Sequence, residues 1–166
     1  MSTNTASRPD APSASLTPRL RIGSLAPESY RAMSALVATV HDFDPVIAEL
    51  VRIRASQINR CAFCIDMHTK DARLAGEAEQ RIYALNAWHE TPFFSQRERA
   101  ALALCEAMTT LPTSNVPDDV YQEAAQQFEP KELAQLIWSI TIINAWNRIA
   151  ITTRMVPGSY QPTAKG

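Results

Sequence analysis

The segment ELVRIRASQINRCAFCIDMHTK, residues 49–70, carries the residues around which the rest of the chain is organised. Cys61 and Cys64 are separated by two residues, His68 follows four residues later, and Glu49 precedes Cys61 by twelve residues. On a helix, residues three and four apart lie on one face, so the two cysteines and His68 form a row along the axis. The segment therefore predicts a thiol site on one helix, with Glu49 on the helix before it.

The cysteines fall in the first turn of this predicted helix. A helix N-terminus favours a thiolate, which hydroperoxides oxidise to a sulfenic acid that a neighbouring thiol then converts to a disulfide. His68 can take a proton from Cys64 or deliver one to a leaving alkoxide, and Glu49 can orient the imidazole. The helix dipole favours Cys61 as the more acidic thiol, whereas the spacing to His68 favours Cys64.

Apolar residues recur at helical spacing along most of the chain, and no segment alternates like a strand. We expect a single all-α domain of about seven helices. Their approximate bounds are 27–42, 46–59, 61–75 with Gly76 as a left-handed C-cap, 77–88, a helix opened by a capping box at 95–98, 117–128 and 130–153.

The two ends of the chain differ in composition from this domain. Residues 1–24 are rich in Ser, Thr, Pro and Ala and are predicted to be a flexible tail, followed by the helical domain at 25–156 and a loose C-terminal tail at 157–166. The last helix is apolar on nearly all sides over residues 137–146. It is expected to be central or covered by another subunit.

Composition excludes several classes of protein. The 166 residues carry 16 basic and 17 acidic side chains without a block of like charge, so nucleic acid is not an expected partner. No apolar run is long enough to span a bilayer, and four glycines cannot build a phosphate-cradling loop for a nucleotide cofactor. Three cysteines do not form a secreted disulfide framework, so a reducing, cytoplasmic setting is expected.

The cysteine pair has other interpretations. With His68 it offers three zinc ligands, and Cys105, His41 or His89 would be the fourth, but no second C-x-x-C or H-x-x-x-H pair is present. A c-type haem would need histidine where Ile65 stands. The pair could also be two small core residues, which is the interpretation we favour for Cys105.

The order of Glu, eleven residues, Cys-x-x-Cys, three residues and His resembles the alkylhydroperoxidase D family of the carboxymuconolactone decarboxylase superfamily. Residues from about 27 to 155 look like this domain, including the helix end at Ala75-Gly76 and the IINAWNR motif at 142–148. The resemblance implies an all-α fold and a homo-oligomer, a trimer or a hexamer.

The same resemblance implies a thiol-dependent peroxidase that needs no metal and no organic cofactor. Cys64 would attack a small hydroperoxide, Cys61 would resolve it to a disulfide, and His68 and Glu49 would relay protons. An external dithiol or thiol protein would reduce the disulfide. The best-known peroxidases of the family carry a histidine where this chain has Phe63.

Two alternatives keep the dithiol but change its use. One is a protein disulfide reductase or another thiol enzyme, and the other is a redox-sensing oligomer that reacts once without turnover. A lactone decarboxylase is disfavoured, because that branch of the superfamily lacks the cysteine pair.

Overall fold

The computed structural model describes residues 16–40, 42–111 and 113–163, and within these ranges the chain is all-helical, which confirms the predicted fold class. The α-helices in the described ranges are α1 (Ile22–Leu25), α2 (Pro27–Ala38), α3 (Pro45–Ile58), α4 (Ala62–Leu74), α5 (Glu79–Ala84), α6 (Gln96–Thr109), α7 (Asp118–Gln127) and α8 (Pro130–Thr153). A 3-10 helix spans Leu85–Glu90.

Local sequence signals explain most of the helix ends. The Asp44 carboxylate accepts the N–H groups of Val46 and Ile47 at 2.9 and 3.2 Å, which caps α3. Ser95 and Glu98 form the predicted capping box at the start of α6. Gly76 has a φ of 93°, as its position after α4 predicts.

The structure has more helices than the pattern predicts, for two reasons. The short α1 lies inside the segment predicted as a tail. The helix predicted at 77–88 is divided into α5 and the 3-10 helix, inside which Ala87 has non-helical dihedral angles of φ −123° and ψ 33°.

Helix α3 lies at the centre of the domain and packs against α4, α6 and α8. Val51 and Ile53 of α3, and Leu136 and Ile140 of α8, are all 0 % exposed. Because α3 contacts three helices, it can bring side chains from α4 and α8 to one place. Helix α8 is central, yet its Trp138 is still 51 % exposed within one chain.

The described part of the predicted N-terminal tail contacts the end of α8. Residues 1–15 of the predicted tail lie outside the described residues, but the Arg19 N–H donates to the Thr153 carbonyl at 2.8 Å, and α1 follows. None of the helices in the described ranges combines the length and apolarity needed to cross a bilayer.

The C-terminal segment packs against α4 and is not loose over residues 158–160. The Gly158 N–H donates to the Asp66 carboxylate at 2.9 Å, and the Tyr160 hydroxyl donates to the Asp71 carboxylate at 2.7 Å. Its composition gave no sign of this contact, because the partners are about ninety residues away in sequence.

We predict that Leu136→Ala lowers the free energy of unfolding by about 2–5 kcal/mol, because it leaves a cavity between α8 and the core. Ile151→Ala is the matched control, since it shortens a side chain of similar size that is 44 % exposed on the same helix. Urea unfolding followed by circular dichroism measures both. Equal losses in the two variants would contradict the packing described above.

Candidate active site

The cysteine pair is presented by the turn between α3 and α4. Arg60 adopts a left-handed conformation with φ 59°, and the Cys61 N–H donates to the Ser56 carbonyl at 2.9 Å. Cys61 is therefore the N-cap of α4, and Cys64 lies in its first turn. The predicted helix start was one residue early.

The structure places the two sulfurs side by side. The Cys61 and Cys64 Sγ atoms are 2.6 Å apart, both thiols are free, and the residues are only 1 % and 2 % exposed. Disulfide formation between them therefore needs little backbone movement. Their burial means that a reagent must reach them through a cavity.

Glu49 reaches from α3 to His68 of α4, as the sequence predicts. The Glu49 Oε2 atom is 2.9 Å from His68 Nδ1, and its Oε1 atom accepts a hydrogen bond from Arg52 at 2.6 Å. Burial raises the pKa of Glu49, but His68 and Arg52 together hold it below its ordinary value. The carboxylate is thus ionised at neutral pH, which fixes the proton of a neutral His68 on Nδ1 and leaves Nε2 as an acceptor.

The two thiols have opposite pKa shifts. The pKa of Cys61 is lowered to about 7, chiefly because its thiolate accepts a hydrogen bond from Cys64, although burial opposes the shift. The pKa of Cys64 is raised by that hydrogen bond, by burial and by the charge on Cys61. The first thiolate therefore forms at Cys61, as the helix dipole suggested, and the pair holds one proton between two sulfurs near neutrality.

A cavity of about 510 Å³ opens beside the dithiol, and Cys64 is the cysteine on its wall. Glu49, Arg52, His68 and Asp71 supply its charged or titratable side. The remaining wall is mostly apolar and comes from α2, α4, α8 and the C-terminal segment: Tyr30, Val37, Val40, Phe63, Met67, Ile142, Ile143, Trp146, Ala150 and Met155. The volume is in the range of cavities that take small organic ligands.

Sequence reasoning missed three residues of this site. Asp71 follows His68 by three residues, a spacing that places both on one face of α4. Tyr160 lies in a segment without any local signal, and burial together with the hydrogen bond to Asp71 raises its pKa to about 12. Asn147 of α8, within the IINAWNR motif, is fully buried, and its side chain donates to the Ser56 hydroxyl at 3.0 Å just before the cysteine pair.

The zinc ligand set considered above does not come together among the described residues. Cys105 is fully buried and donates its S–H to the Val51 carbonyl, and His89 stacks on the Trp88 ring. His41 lies outside the described residues. Within the described ranges, the group of acidic, histidine or cysteine ligands close enough to hold a metal is Glu49, His68 and Asp71, all within 4.8 Å of one another and without a cysteine.

The fold and the site define an all-helical protein with a buried cysteine pair, a histidine–carboxylate pair and an adjoining cavity. Residues 27–107 match the model of the carboxymuconolactone decarboxylase family. The chain is 46 % identical over 124 residues to the uncharacterised protein YdfG of Bacillus subtilis (strain 168), covering 75 % of this chain and 80 % of that protein. It therefore belongs to the carboxymuconolactone decarboxylase family, as an alkylhydroperoxidase D-like member.

Solved structures agree with this assignment. A protein of unknown function from Agrobacterium tumefaciens, with a suggested role in antioxidant defence as an AhpD protein, has a TM-score of 0.84 and 34 % identity, covering 87 % of this chain and 100 % of that one. The debrominase Bmp8 has the same fold with a TM-score of 0.74 and 18 % identity, covering 82 % of this chain and 74 % of its own.

We predict that the reduced protein gains thiolate absorbance at 240 nm with a midpoint near pH 7, because the pKa of Cys61 is lowered to about 7. An ordinary cysteine has a pKa of about 8.5, so the pair is far more ionised at neutral pH than a free thiol. Cys61→Ser should move the midpoint upward. Cys105→Ser is the control and should not move it, since burial raises the pKa of Cys105 to about 12. A wild-type midpoint at or above 8.5 would contradict the assigned order of ionisation.

Proposed function

We propose that this protein is a thiol-dependent peroxidase that reduces small organic hydroperoxides at the Cys61–Cys64 pair. The observation that carries the proposal is the position of Cys64 on the cavity wall beside His68, with a second thiol 2.6 Å behind it. Cys64 can meet a substrate in the cavity, and Cys61 can reach Cys64 without large movement.

Cys64 is the attacking thiol in this mechanism. It gives its proton to His68 Nε2, and its sulfur attacks the distal peroxide oxygen. The O–O bond breaks, Cys64 becomes a sulfenic acid, and the alkoxide takes a proton from His68 and leaves as the alcohol. Glu49 keeps His68 in the required tautomer through the 2.9 Å hydrogen bond.

Cys61 completes the oxidation. Its thiolate sulfur attacks the Cys64 sulfenic acid, a disulfide forms, and the hydroxide that leaves takes a proton from solvent and becomes water. An external dithiol or thiol protein then reduces the disulfide, so that one hydroperoxide and two thiols give one alcohol, one water and one disulfide. A reducing cytoplasm is the proposed setting, because it supplies such thiols.

No metal, flavin or nucleotide takes part in this cycle. Phe63 occupies the position where the best-known relatives have a histidine, and it contributes apolar surface to the cavity. In our proposal His68 provides the proton transfers to and from the substrate without that second histidine.

The proposal is tested by turnover of cumene hydroperoxide with dithiothreitol as reductant. We expect sustained turnover in the wild type, loss of turnover in Cys64→Ser, and a Cys64 sulfenic acid trapped by dimedone in Cys61→Ser. Cys105→Ser is the matched control, because it removes a buried thiol outside the cavity, and should retain wild-type turnover.

Two other outcomes have defined meanings. Peroxide consumption at the uncatalysed rate, with rapid exchange against a disulfide substrate, would establish the alternative of a disulfide reductase and overturn the peroxidase. A single stoichiometric oxidation without turnover would indicate a redox sensor. An aryl bromide should be tested as a substrate in the same assay, because the debrominase Bmp8 has the same fold.

A separate prediction concerns the proton relay. Glu49→Gln should lower kcat about tenfold to a hundredfold, because the amide cannot stabilise the imidazolium that forms when His68 accepts a proton. Glu98→Gln is the matched control. The Glu98 carboxylate is also largely buried and paired with an arginine, but it lies outside the cavity. Steady-state kinetics across pH 5–9 measure both variants. Unchanged kcat in Glu49→Gln would remove Glu49 from the relay.

We also propose that the protein assembles as a homo-oligomer, a trimer or a hexamer. The half-exposed Trp138 and Ile151 of α8 support this, because they leave apolar surface of the central helix uncovered within one chain.

A further inference from the structure

Ser139 is a polar residue on the apolar helix α8, and it lines the cavity beside the dithiol. It is only 1 % exposed, and among the described residues its hydroxyl has no hydrogen-bond partner. Burying a hydroxyl in this way is costly, because the hydrogen bonds that it makes with water are lost and not replaced. An unpaired hydroxyl on the wall of a cavity therefore points to a partner that a bound ligand supplies.

Other hydroxyl groups of α8 show that the helix itself does not force this lack of a partner. A serine or threonine within a helix can donate to the carbonyl four residues earlier. Thr141 and Thr153 both do so, each at 2.8 Å. The corresponding carbonyl for Ser139 is that of Gln135, but the Ser139 hydroxyl does not bond to it. The hydroxyl is therefore available to a ligand in the cavity.

Ser139 comes from a different helix than the reactive groups. Cys64 and His68 belong to α4, and the Ser139 hydroxyl bonds to neither of them. The rest of the cavity wall from α8 is aliphatic or aromatic: Ile142, Ile143, Trp146 and Ala150. A substrate whose peroxide group lies at Cys64 therefore presents other atoms to α8, which are carbon along most of this wall and a hydrogen-bonding atom at Ser139.

The charges of the lining favour a neutral partner for this hydroxyl. The lining carries two acidic side chains, Glu49 and Asp71, and the guanidinium of Arg52, which is already paired with Glu49 at 2.6 Å. A carboxylate bound in the cavity would meet the two acidic groups, while the guanidinium is engaged. A serine hydroxyl both donates and accepts, so it suits the oxygen of an alcohol or of a carbonyl group.

We propose that Ser139 is a specificity-determining residue that hydrogen-bonds to a second, neutral oxygen group of the substrate. The cavity then selects organic hydroperoxides that carry a hydroxyl or a carbonyl group in addition to the peroxide. The apolar wall of α8 holds the carbon body, and Ser139 orients it while the peroxide lies at Cys64. No covalent bond to Ser139 forms or breaks. The inference rests on the proposed peroxidase function for the identity of the reacting group.

The test measures the binding of unreactive alcohols, in which a hydroxyl replaces the peroxide. The probes are 2-phenyl-2-propanol and its 3-hydroxyphenyl and 4-hydroxyphenyl counterparts, titrated into ¹⁵N-labelled reduced protein and followed by chemical-shift changes. The wild type should bind at least one hydroxyphenyl probe more tightly than 2-phenyl-2-propanol. In Ser139→Ala the Kd of that probe should rise about threefold to tenfold, as expected for the loss of one neutral hydrogen bond, and the Kd of 2-phenyl-2-propanol should not change.

Ser34→Ala is the matched control. Ser34 of α2 also lines the cavity, but its hydroxyl already donates to the Tyr30 carbonyl at 2.9 Å, so its removal should leave the affinities unchanged. Equal weakening of all three probes in Ser139→Ala would assign the hydrogen bond to the reacting oxygen instead. That result, unchanged affinities in Ser139→Ala, or a wild type that does not prefer either hydroxyphenyl probe would overturn the proposal.

Thermal unfolding separates ligand binding from a structural role of Ser139. Because Ser139→Ala removes a buried hydroxyl without a partner, its Tm should equal or exceed that of the wild type. A lower Tm would mean that the hydroxyl has a partner inside the fold, which contradicts the proposal. Neither measurement uses a peroxide, so a failure of turnover with cumene hydroperoxide would be seen separately from a failure of this inference.

Discussion

The junction between the C-terminal end of α3 and the middle of α8 is the contact on which the site depends. Asn59, the C-cap of α3, donates side-chain hydrogen bonds to two asparagines of α8. The left-handed conformation of Arg60 then turns the chain so that Cys61 becomes the N-cap of α4. Without this junction the cysteines could still lie on one helix, but neither their burial nor their distance from Glu49 would be fixed.

Most polar side chains in this core are paired, and among the described residues Ser139 Oγ is the buried side-chain polar atom without a hydrogen-bond partner. Ser56, Asn144 and Asn147 are buried, and each has a hydrogen-bond partner on another helix. A fully satisfied buried network favours one packing arrangement over slightly shifted ones, since any shift leaves an unpaired group at a cost of about 1–3 kcal/mol. Ser56 of this network also accepts the Cys61 N–H with its carbonyl, so the contact between α3 and α8 adjoins the start of the helix that carries the thiols.

The burial of the dithiol limits its chemistry to what the cavity admits. A low-dielectric setting strengthens each hydrogen bond to a thiolate, and the ion pair of Glu49 with Arg52 keeps a carboxylate charged beside His68. Tyr160 of the C-terminal segment lines the cavity, so this segment is part of the site. The arrangement suits a small substrate that enters the cavity better than a folded protein that would have to reach both sulfurs.

The sequence by itself determined the fold class, most helix bounds, and the grouping of Glu49, Cys61, Cys64 and His68, because helical periodicity, caps and short spacings are local properties. It did not reveal α1, the division at Ala87, or the packing of residues 158–160, whose causes are contacts with distant parts of the chain. Only the tertiary structure decided that Cys64 lines the cavity and that Asn144 and Asn147 meet Asn59 beside the cysteine turn. These properties depend on burial and on partners about 85 residues away in sequence, whose geometry no local pattern specifies.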